Sequence, residues 1–118
     1  EDETAQLIKK AKTDAQRQIT YDPENRPEVS NLLTLISLST GEAPEAIAER
    51  IGDGGGAQLK RMLTESLNDY LRPLRAKRKE LEANMDYVRD VLKRGVNKAR
   101  EIAEATLDEV RSVMNMEI

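Results

Sequence analysis

The spacing of apolar residues is helical over most of the chain. In the opening EDETAQLIKKAK, apolar residues recur at helical spacing, with acidic residues in the first turn and lysines in the last. This order of charge complements a helix dipole and predicts a helix from about Asp2 to Lys12. The following TDAQRQITYDPENRPEVSN alternates briefly at Ile19 to Tyr21, and Pro23 and Pro27 then keep their preceding residues out of the helical region. An ordered proline-rich loop is expected there.

Two short helices are predicted after this loop. Ser30 or Asn31 can accept hydrogen bonds from the free amides at a helix start, and the run NLLTLISLST then ends at Gly41, a natural left-handed C-cap. Alternatively, Pro27 supplies the first turn and the helix begins slightly earlier. The next segment, APEAIAERIG, has Pro44 in its first turn and a glycine at its end.

Longer helices are predicted in the second half. Apolar residues recur at steps of three and four from Ala57 to Leu81, and Pro73 within this stretch predicts a kink. The segment ANMD interrupts the pattern, with Asn84 or Asp86 as the next cap. Two further helices are expected, YVRDVLKRG and VNKAREIAEATLDEVRSVMNM, separated at Gly95. The pattern predicts an all-α fold, an irregular bundle of about six helices with a proline-kinked long helix and one ordered proline-rich loop.

Composition agrees with helices and excludes several chemistries. A chain of 118 residues is the usual size of one domain, so residues 1–118 are expected to form a single domain. The absence of cysteine and histidine excludes zinc sites of the Cys/His type, thiol chemistry and histidine-activated nucleophiles. No apolar run is long enough to cross a bilayer, so a cytoplasmic protein without a membrane partner is expected.

The glycine cluster in DGGGAQ is expected to be a turn or a flexible joint. It lacks the Lys-Ser/Thr ending of a nucleoside-triphosphate loop, a preceding strand, and the spacing of a dinucleotide fingerprint. The sequence therefore gives no reason to place a nucleotide here, and no cofactor or metal is expected in this chain.

Charge is strongly segregated along the chain. Residues 60–100 contain twelve lysines and arginines against six acidic residues, whereas residues 1–59 contain six against eleven and residues 101–118 one against five. A basic region of this kind attracts the phosphate backbone of a polyanion, although a solvated helix face is the simpler interpretation. Exposed aromatic rings near such cations could stack on unpaired bases. The candidate RNA-binding residues are Tyr70, Arg72, Arg75, Lys77, Arg78, Lys79, Tyr87, Lys93, Arg94, Lys98 and Arg100.

Several segments, taken in order, carry a resemblance to a known family. They are IKKAKTDAQRQITYDPENRPEVSNLL, STGEAPEAIAERI, LKRMLTESLNDYLRPLRAKRKEL and LKRGVNKAREIAEATLDEVRSVM. Together they resemble the carboxy-terminal part of bacterial-type tryptophanyl-tRNA synthetases over essentially the whole chain. Tyrosyl-tRNA synthetases are the nearest alternative, and the YDP turn leading into VSNLL favours the tryptophan family.

The resemblance implies a function for the complete enzyme. Members of that family use ATP and Mg²⁺ to activate tryptophan, transfer it to the tRNA for tryptophan, and act as homodimers. Their chemistry depends on a Rossmann-type catalytic domain with HIGH and KMSKS motifs, which this sequence lacks. The resemblance therefore implies an anticodon-binding domain that packs on its own catalytic domain and is catalytically silent alone. DNA is not an expected partner. Lys9, Lys10 and Lys12 are interpreted as dipole partners, with contact to the tRNA acceptor end as the alternative.

A second hypothesis is a helical module that binds a protein and has no RNA role. An aliphatic groove formed by Leu74, Leu81, Tyr87 and Val88 would supply the docking surface. Binding to tRNA that depends on salt and anticodon would separate the two hypotheses.

Overall fold

A computed structural model describes residues 1–116, and the described part of the chain is helical without strands. It contains five α-helices and one 3₁₀ turn: α1 (Asp2–Lys10), α2 (Pro27–Thr40), α3 (Pro44–Ile51), the turn Gly52–Gly54, α4 (Gly55–Glu82) and α5 (Met85–Val113). The prediction of an all-α fold is confirmed. The predicted first helix ends two residues too late, since α1 stops at Lys10 rather than Lys12.

The chain divides into two compact units. The first is Glu1–Arg75 and the second begins at Ala76, so the boundary falls inside α4, shortly after Pro73. In the described part of the chain, the buried apolar side chains all belong to the first unit. They come from α1, the following loop, α2, α3 and the first half of α4: Ile8, Ile19, Val29, Leu32, Leu33, Ile36, Ile47, Ala48, Ile51, Leu59 and Leu63. These helices pack as an irregular bundle around one core.

The loop between α1 and α2 is ordered by the buried guanidinium of Arg26. Its Nε and Nη2 donate to the two carboxylate oxygens of Asp14 at 2.7 and 2.8 Å. Its Nη1 donates to the carbonyl of Gln18 at 2.6 Å and to Thr20 Oγ1 at 2.8 Å. Because these acceptors are spread along the loop, one side chain fixes its path, and the neighbouring Ile19 is buried in the core.

Ser30 and Asn31 are not helix caps. Helix α2 begins at Pro27, with Arg26 at the N-cap position, so both residues lie inside the helix. The Ser30 hydroxyl instead accepts a 2.9 Å hydrogen bond from the backbone N–H of Asp22, and Asn31 is exposed. The alternative that the helix starts at the proline is correct, because proline's fixed φ suits the first turn and its missing N–H costs nothing there.

At the other end of α2, Gly41 adopts the left-handed conformation, with φ of +82°. Its N–H donates to the carbonyl of Ser37 at 2.7 Å. Helix α3 starts at Pro44 and leads into the 3₁₀ turn. The glycine segment is thus an ordered turn, and the N–H of Ile19 donates to the Gly52 carbonyl at 2.7 Å.

Helix α5 is more continuous than the sequence suggests, whereas α4 is the one long helix that the spacing predicts. Helix α4 runs through Pro73 without a break, and α5 runs through Gly95. The prediction that Gly95 separates two helices is wrong, which accounts for five helices instead of six. A single glycine costs only about 1 kcal/mol relative to alanine, and the helix formers on both sides offset that cost. Asn84 is confirmed as the cap of α5, because its side chain accepts a hydrogen bond from the N–H of Tyr87 at 3.3 Å.

Helix α5 has no buried residue. Its apolar residues nevertheless form a continuous stripe at helical spacing, which includes Leu92, Val96, Ile102 and Val110, all between 47% and 62% exposed. An amphipathic helix normally covers such a stripe with another apolar surface. Within the described residues, nothing buries it.

Candidate nucleic-acid interface

Most cations in the last turns of α4 form ion pairs along the helix. Lys77 Nζ lies 2.7 Å from Glu80 Oε1, and Arg78 Nε lies 2.7 Å from Glu82 Oε1. These hydrogen bonds raise the pKa of Lys77 and of Arg78 above their ordinary values. Both side chains stay charged but share their charge with a neighbouring carboxylate, so their attraction for a phosphate is reduced.

Arg72 and Arg75 are engaged within the first unit. Arg72 Nη2 pairs with Asp69 Oδ1 at 2.8 Å. Arg75 is half-buried and donates to Asn68 Oδ1 at 2.8 Å and to Thr4 Oγ1 at 2.7 Å. The second bond ties α4 to the first turn of α1. Arg75 therefore has a structural role, and its replacement by alanine is expected to disturb the packing of these helices.

Four of the predicted cations have no ion pair with the described part of the chain: Lys79, Lys93, Lys98 and Arg100. All four belong to the second unit and are exposed. Arg94, by contrast, pairs with Asp90 at 3.0 Å. The unpaired set can turn toward an external anion without first giving up a carboxylate.

The cations of α5 do not share one face. Because a helix turns about 100° per residue, Lys93 and Arg100, seven positions apart, lie on one flank of the apolar stripe. Arg94 and Lys98 lie on the other flank. This helix therefore presents an apolar stripe with cations along both borders and not a single basic face.

The two candidate stacking residues are accessible. Tyr70, in the first unit, is 54% exposed, and Tyr87, at the start of α5, is 52% exposed. Neither hydroxyl has a hydrogen bond in the described residues, so both rings are available for contact.

A cluster of cations that the sequence does not predict as a group lies in the first unit. Lys9, Arg17, Lys60 and Arg61 line one cavity together with the glycines before α4. They come from α1, the following loop and α4, so only the fold brings them together. No local pattern in the sequence marks them as one group, because Lys9 and Arg17 are distant along the chain from Lys60 and Arg61.

Two kinds of feature are absent from the part of the chain that the structure describes. Over residues 1–116, no group of three or more acidic side chains is placed to hold a metal ion. Over the same residues, no helix is both long and apolar enough to cross a membrane.

Comparison with known proteins identifies the family. The family model described as tRNA synthetases class I (W and Y) matches residues 1–72, which is more than half of the chain. The chain therefore belongs to the class I tRNA synthetase family for tryptophan and tyrosine.

The similar curated proteins are tryptophan–tRNA ligases. The enzyme of Thermosynechococcus vestitus is 38% identical over 110 residues, which is 93% of this chain and 33% of the relative. That of Nostoc sp. is 37% identical over 96% of this chain, and that of Rickettsia conorii is 41% identical over 90%. The chain spans about a third of the length of these relatives, at 33%, 34% and 32% respectively.

The likeness to the tryptophan enzymes extends beyond the residues matched by the family model. An alignment that covers 93% of the chain must continue past residue 72 into the second half of α4 and α5. The long helices that carry the unpaired cations are thus part of the similarity to tryptophan–tRNA ligases.

Proposed function

We propose that the chain is the carboxy-terminal, anticodon-side helical portion of a tryptophan–tRNA ligase and that it contacts the tRNA for tryptophan. The observation that carries this proposal is the similarity to tryptophan–tRNA ligases across nearly the whole chain, including the helices beyond residue 72. The complete enzyme would activate tryptophan with ATP and Mg²⁺ in the cytoplasm, act as a homodimer, and serve protein biosynthesis.

The chain itself would not catalyse adenylation. It has no histidine, and residues 1–116 form helices without the Rossmann-type sheet on which that chemistry depends in the proposed family. A purified sample of the 118-residue chain should show no tryptophan-dependent exchange of pyrophosphate into ATP. Exchange above the buffer background would contradict this part of the proposal.

The RNA contact would be made by the unpaired cations of the second unit. Lys93 and Arg100 lie on one flank of α5 without a carboxylate partner in the described residues, and Tyr87 is exposed near the start of the same helix. Cations of this kind bind phosphates through a salt-dependent term that is independent of sequence, whereas an exposed ring can stack on an unpaired base. Anticodon recognition would then depend on a small number of side chains such as Tyr87.

The apolar stripe of α5 would pack against the catalytic domain of the same enzyme. This stripe is about half exposed to solvent at Leu92, Val96, Ile102 and Val110, which is unusual for a helix with this periodicity. A domain packed on the stripe would remove these side chains from water. The same stripe is the observation that favours the second candidate, a protein-binding module without RNA contact.

Binding of fluorescently labelled tRNA separates these functions. The chain should bind the tRNA for tryptophan more tightly than the same tRNA with a changed anticodon, and the affinity should fall as salt is raised. Lys93→Gln should reduce the slope of log affinity against log salt by about one, the value for one lost phosphate contact. Arg111→Gln is the matched control, because Arg111 is on the same helix and is already paired with Asp108.

Two outcomes of these binding measurements would contradict the proposal or part of it. An affinity that responds to neither salt nor anticodon would reject the RNA role and leave the protein-binding function. Loss of binding that is equal in Lys93→Gln and Arg111→Gln would reject the assignment to the unpaired cations.

A further inference from the structure

The basic cavity of the first unit has the features of a built anion site. It has a volume of about 810 Å³ and is lined by residues of α1, the following loop, the glycine turn and the first turns of α4. Small-molecule sites in proteins usually occupy about 300–1,000 Å³, so the cavity is large enough for a phosphate-bearing ligand.

Positive charge dominates its lining. Lys9, Arg17, Lys60 and Arg61 all contribute, and none forms an ion pair with the described part of the chain. Asp14 and Glu65 are the carboxylates of the lining. Asp14 is occupied on both oxygens by Arg26, at 2.7 and 2.8 Å, so it offers little compensation to the cavity cations.

Backbone hydrogen bonds hold two of these cations in place. Arg17 Nε donates to the carbonyl of Asp53 at 2.9 Å, which leaves its terminal nitrogens available. Lys60 Nζ donates to the carbonyl of Lys9 at 3.1 Å and is half-buried. Both bonds join segments far apart in sequence, so the fold positions these two side chains at the cavity.

The glycines shape the wall between these cations. A Cβ atom at Gly56 would lie 3.3 Å from Thr13 Oγ1, and one at Gly55 would lie 3.7 Å from Arg17 Cγ. Gly55 also has φ of +73°, which favours glycine. The absence of side chains thus brings the loop after α1 against the start of α4.

We propose that this cavity binds phosphate groups, supplied either by a nucleotide or by the sugar–phosphate backbone of RNA. Arg17 and Arg61 would hold phosphate oxygens through their guanidinium nitrogens, with Lys9 and Lys60 neutralising the remaining charge. The site lies in the first unit and uses none of the α5 residues assigned to tRNA contact. The cavity can therefore be tested separately from the proposed tRNA contact, and either can fail without the other.

Calorimetric titration of the 118-residue chain with inorganic tripolyphosphate tests the site. Lys9→Gln and Arg61→Gln should each weaken binding about tenfold, as expected for the loss of one charge-assisted hydrogen bond. Lys10→Gln is the matched control, because Lys10 is the next residue on the same helix, is equally exposed and does not line the cavity. Thermal melts of all three variants check that folding is unchanged.

Two comparisons identify the source of the phosphate. Binding of ATP that is tighter than that of tripolyphosphate would assign a nucleotide, and displacement of tripolyphosphate by tRNA would assign an RNA backbone. Arg111→Gln, which removes a cation of α5 that is already paired with Asp108, should leave tripolyphosphate binding unchanged. The absence of any tripolyphosphate binding, or an equal loss in Lys9→Gln and Lys10→Gln, would overturn the proposal.

Discussion

Arg26 is the residue on which the loop between α1 and α2 depends. Its guanidinium is buried and meets the Asp14 carboxylate, a backbone carbonyl and a hydroxyl, so its donors are satisfied across the loop. A buried cation that loses its partner is costly, because the charge then lies out of water without compensation. The Arg26–Asp14 pair therefore fixes the path of the loop and the position of Ile19 in the core, because Ile19 lies between two residues that are bonded to Arg26.

Arg26→Gln is expected to lower the melting temperature clearly, because glutamine cannot reach all four acceptors. Arg50→Gln is the matched control, since Arg50 pairs with Glu42 at 2.8 Å on the surface, where such pairs contribute little. Circular dichroism melts of both variants measure the difference. Equal melting temperatures would show that the buried pair does not stabilise the loop.

Asp14 should also make the stability depend on acid pH. The hydrogen bond from Arg26 holds the pKa of Asp14 below its ordinary value. A lowered folded-state pKa gives stability that is present above the unfolded pKa of about 4 and is lost as the pH falls through the folded pKa. The bond from Asn25 lowers the pKa of Asp22, and that from Lys12 lowers the pKa of Glu28, so both act in the same direction.

Melts between pH 6 and pH 2 check this dependence, over a range of about two units on either side of the unfolded pKa. Asp14→Asn should be less stable than the unchanged chain at pH 6, and the difference should shrink as the pH falls below about 4. A constant difference across the range would contradict the assignment of the titration to Asp14.

At the scale of elements, two glycines show that the effect of replacing a glycine depends on its backbone conformation. Gly41 ends α2 with φ of +82°, whereas Gly95 lies inside α5 in ordinary helical conformation. A Cβ atom would meet nothing within 4 Å at either position. Any difference between the two alanine variants therefore comes from backbone conformation and not from a steric clash.

Gly41→Ala is expected to destabilise the first unit by about 1 kcal/mol, because alanine is strained in the left-handed region. Gly95→Ala should stabilise α5 by about 0.5–1 kcal/mol, since alanine has the higher helix propensity. Denaturant titration measures the first effect, and amide hydrogen exchange along α5 measures the second. Changes of the same sign would contradict the conformational argument.

The same contrast explains what could be predicted from the sequence. Helical periodicity is a local property, and it correctly gave the all-α fold, the cap at Asn84 and the order of the helices. The start of α2 was ambiguous because the Ser30 hydroxyl is used by Asp22, a tertiary contact. The Arg26 network and the cavity cations were missed for the same reason, since their partners are distant in sequence and are brought together only by folding.

At the scale of the whole molecule, the buried side chains among residues 1–116 are confined to the first unit. Leu63 is fully buried there, whereas Leu107 of α5 is 46% exposed. The stability of the first unit should therefore depend on residues such as Leu63 and not on the apolar positions of α5.

Leu63→Ala is expected to reduce the free energy of unfolding by about 2–5 kcal/mol, the usual cost of a cavity at a buried leucine. Leu107→Ala should change the same quantity by about 0.5 kcal/mol or less, as for an ordinary surface substitution. Urea titration followed by circular dichroism measures both. A large loss in Leu107→Ala would show that α5 shares in the core.

The exposure of helix α5 also affects which substitutions this region can tolerate during evolution. Because none of its side chains enters the interior of the chain, folding of the described residues does not require its leucines, valines and isoleucines to remain apolar. Any selection that keeps them so must act through another surface. Under the proposed function, a mutational scan in cells that depend on a tryptophan–tRNA ligase containing this chain should reveal growth defects along this stripe that melts of the 118-residue chain do not show.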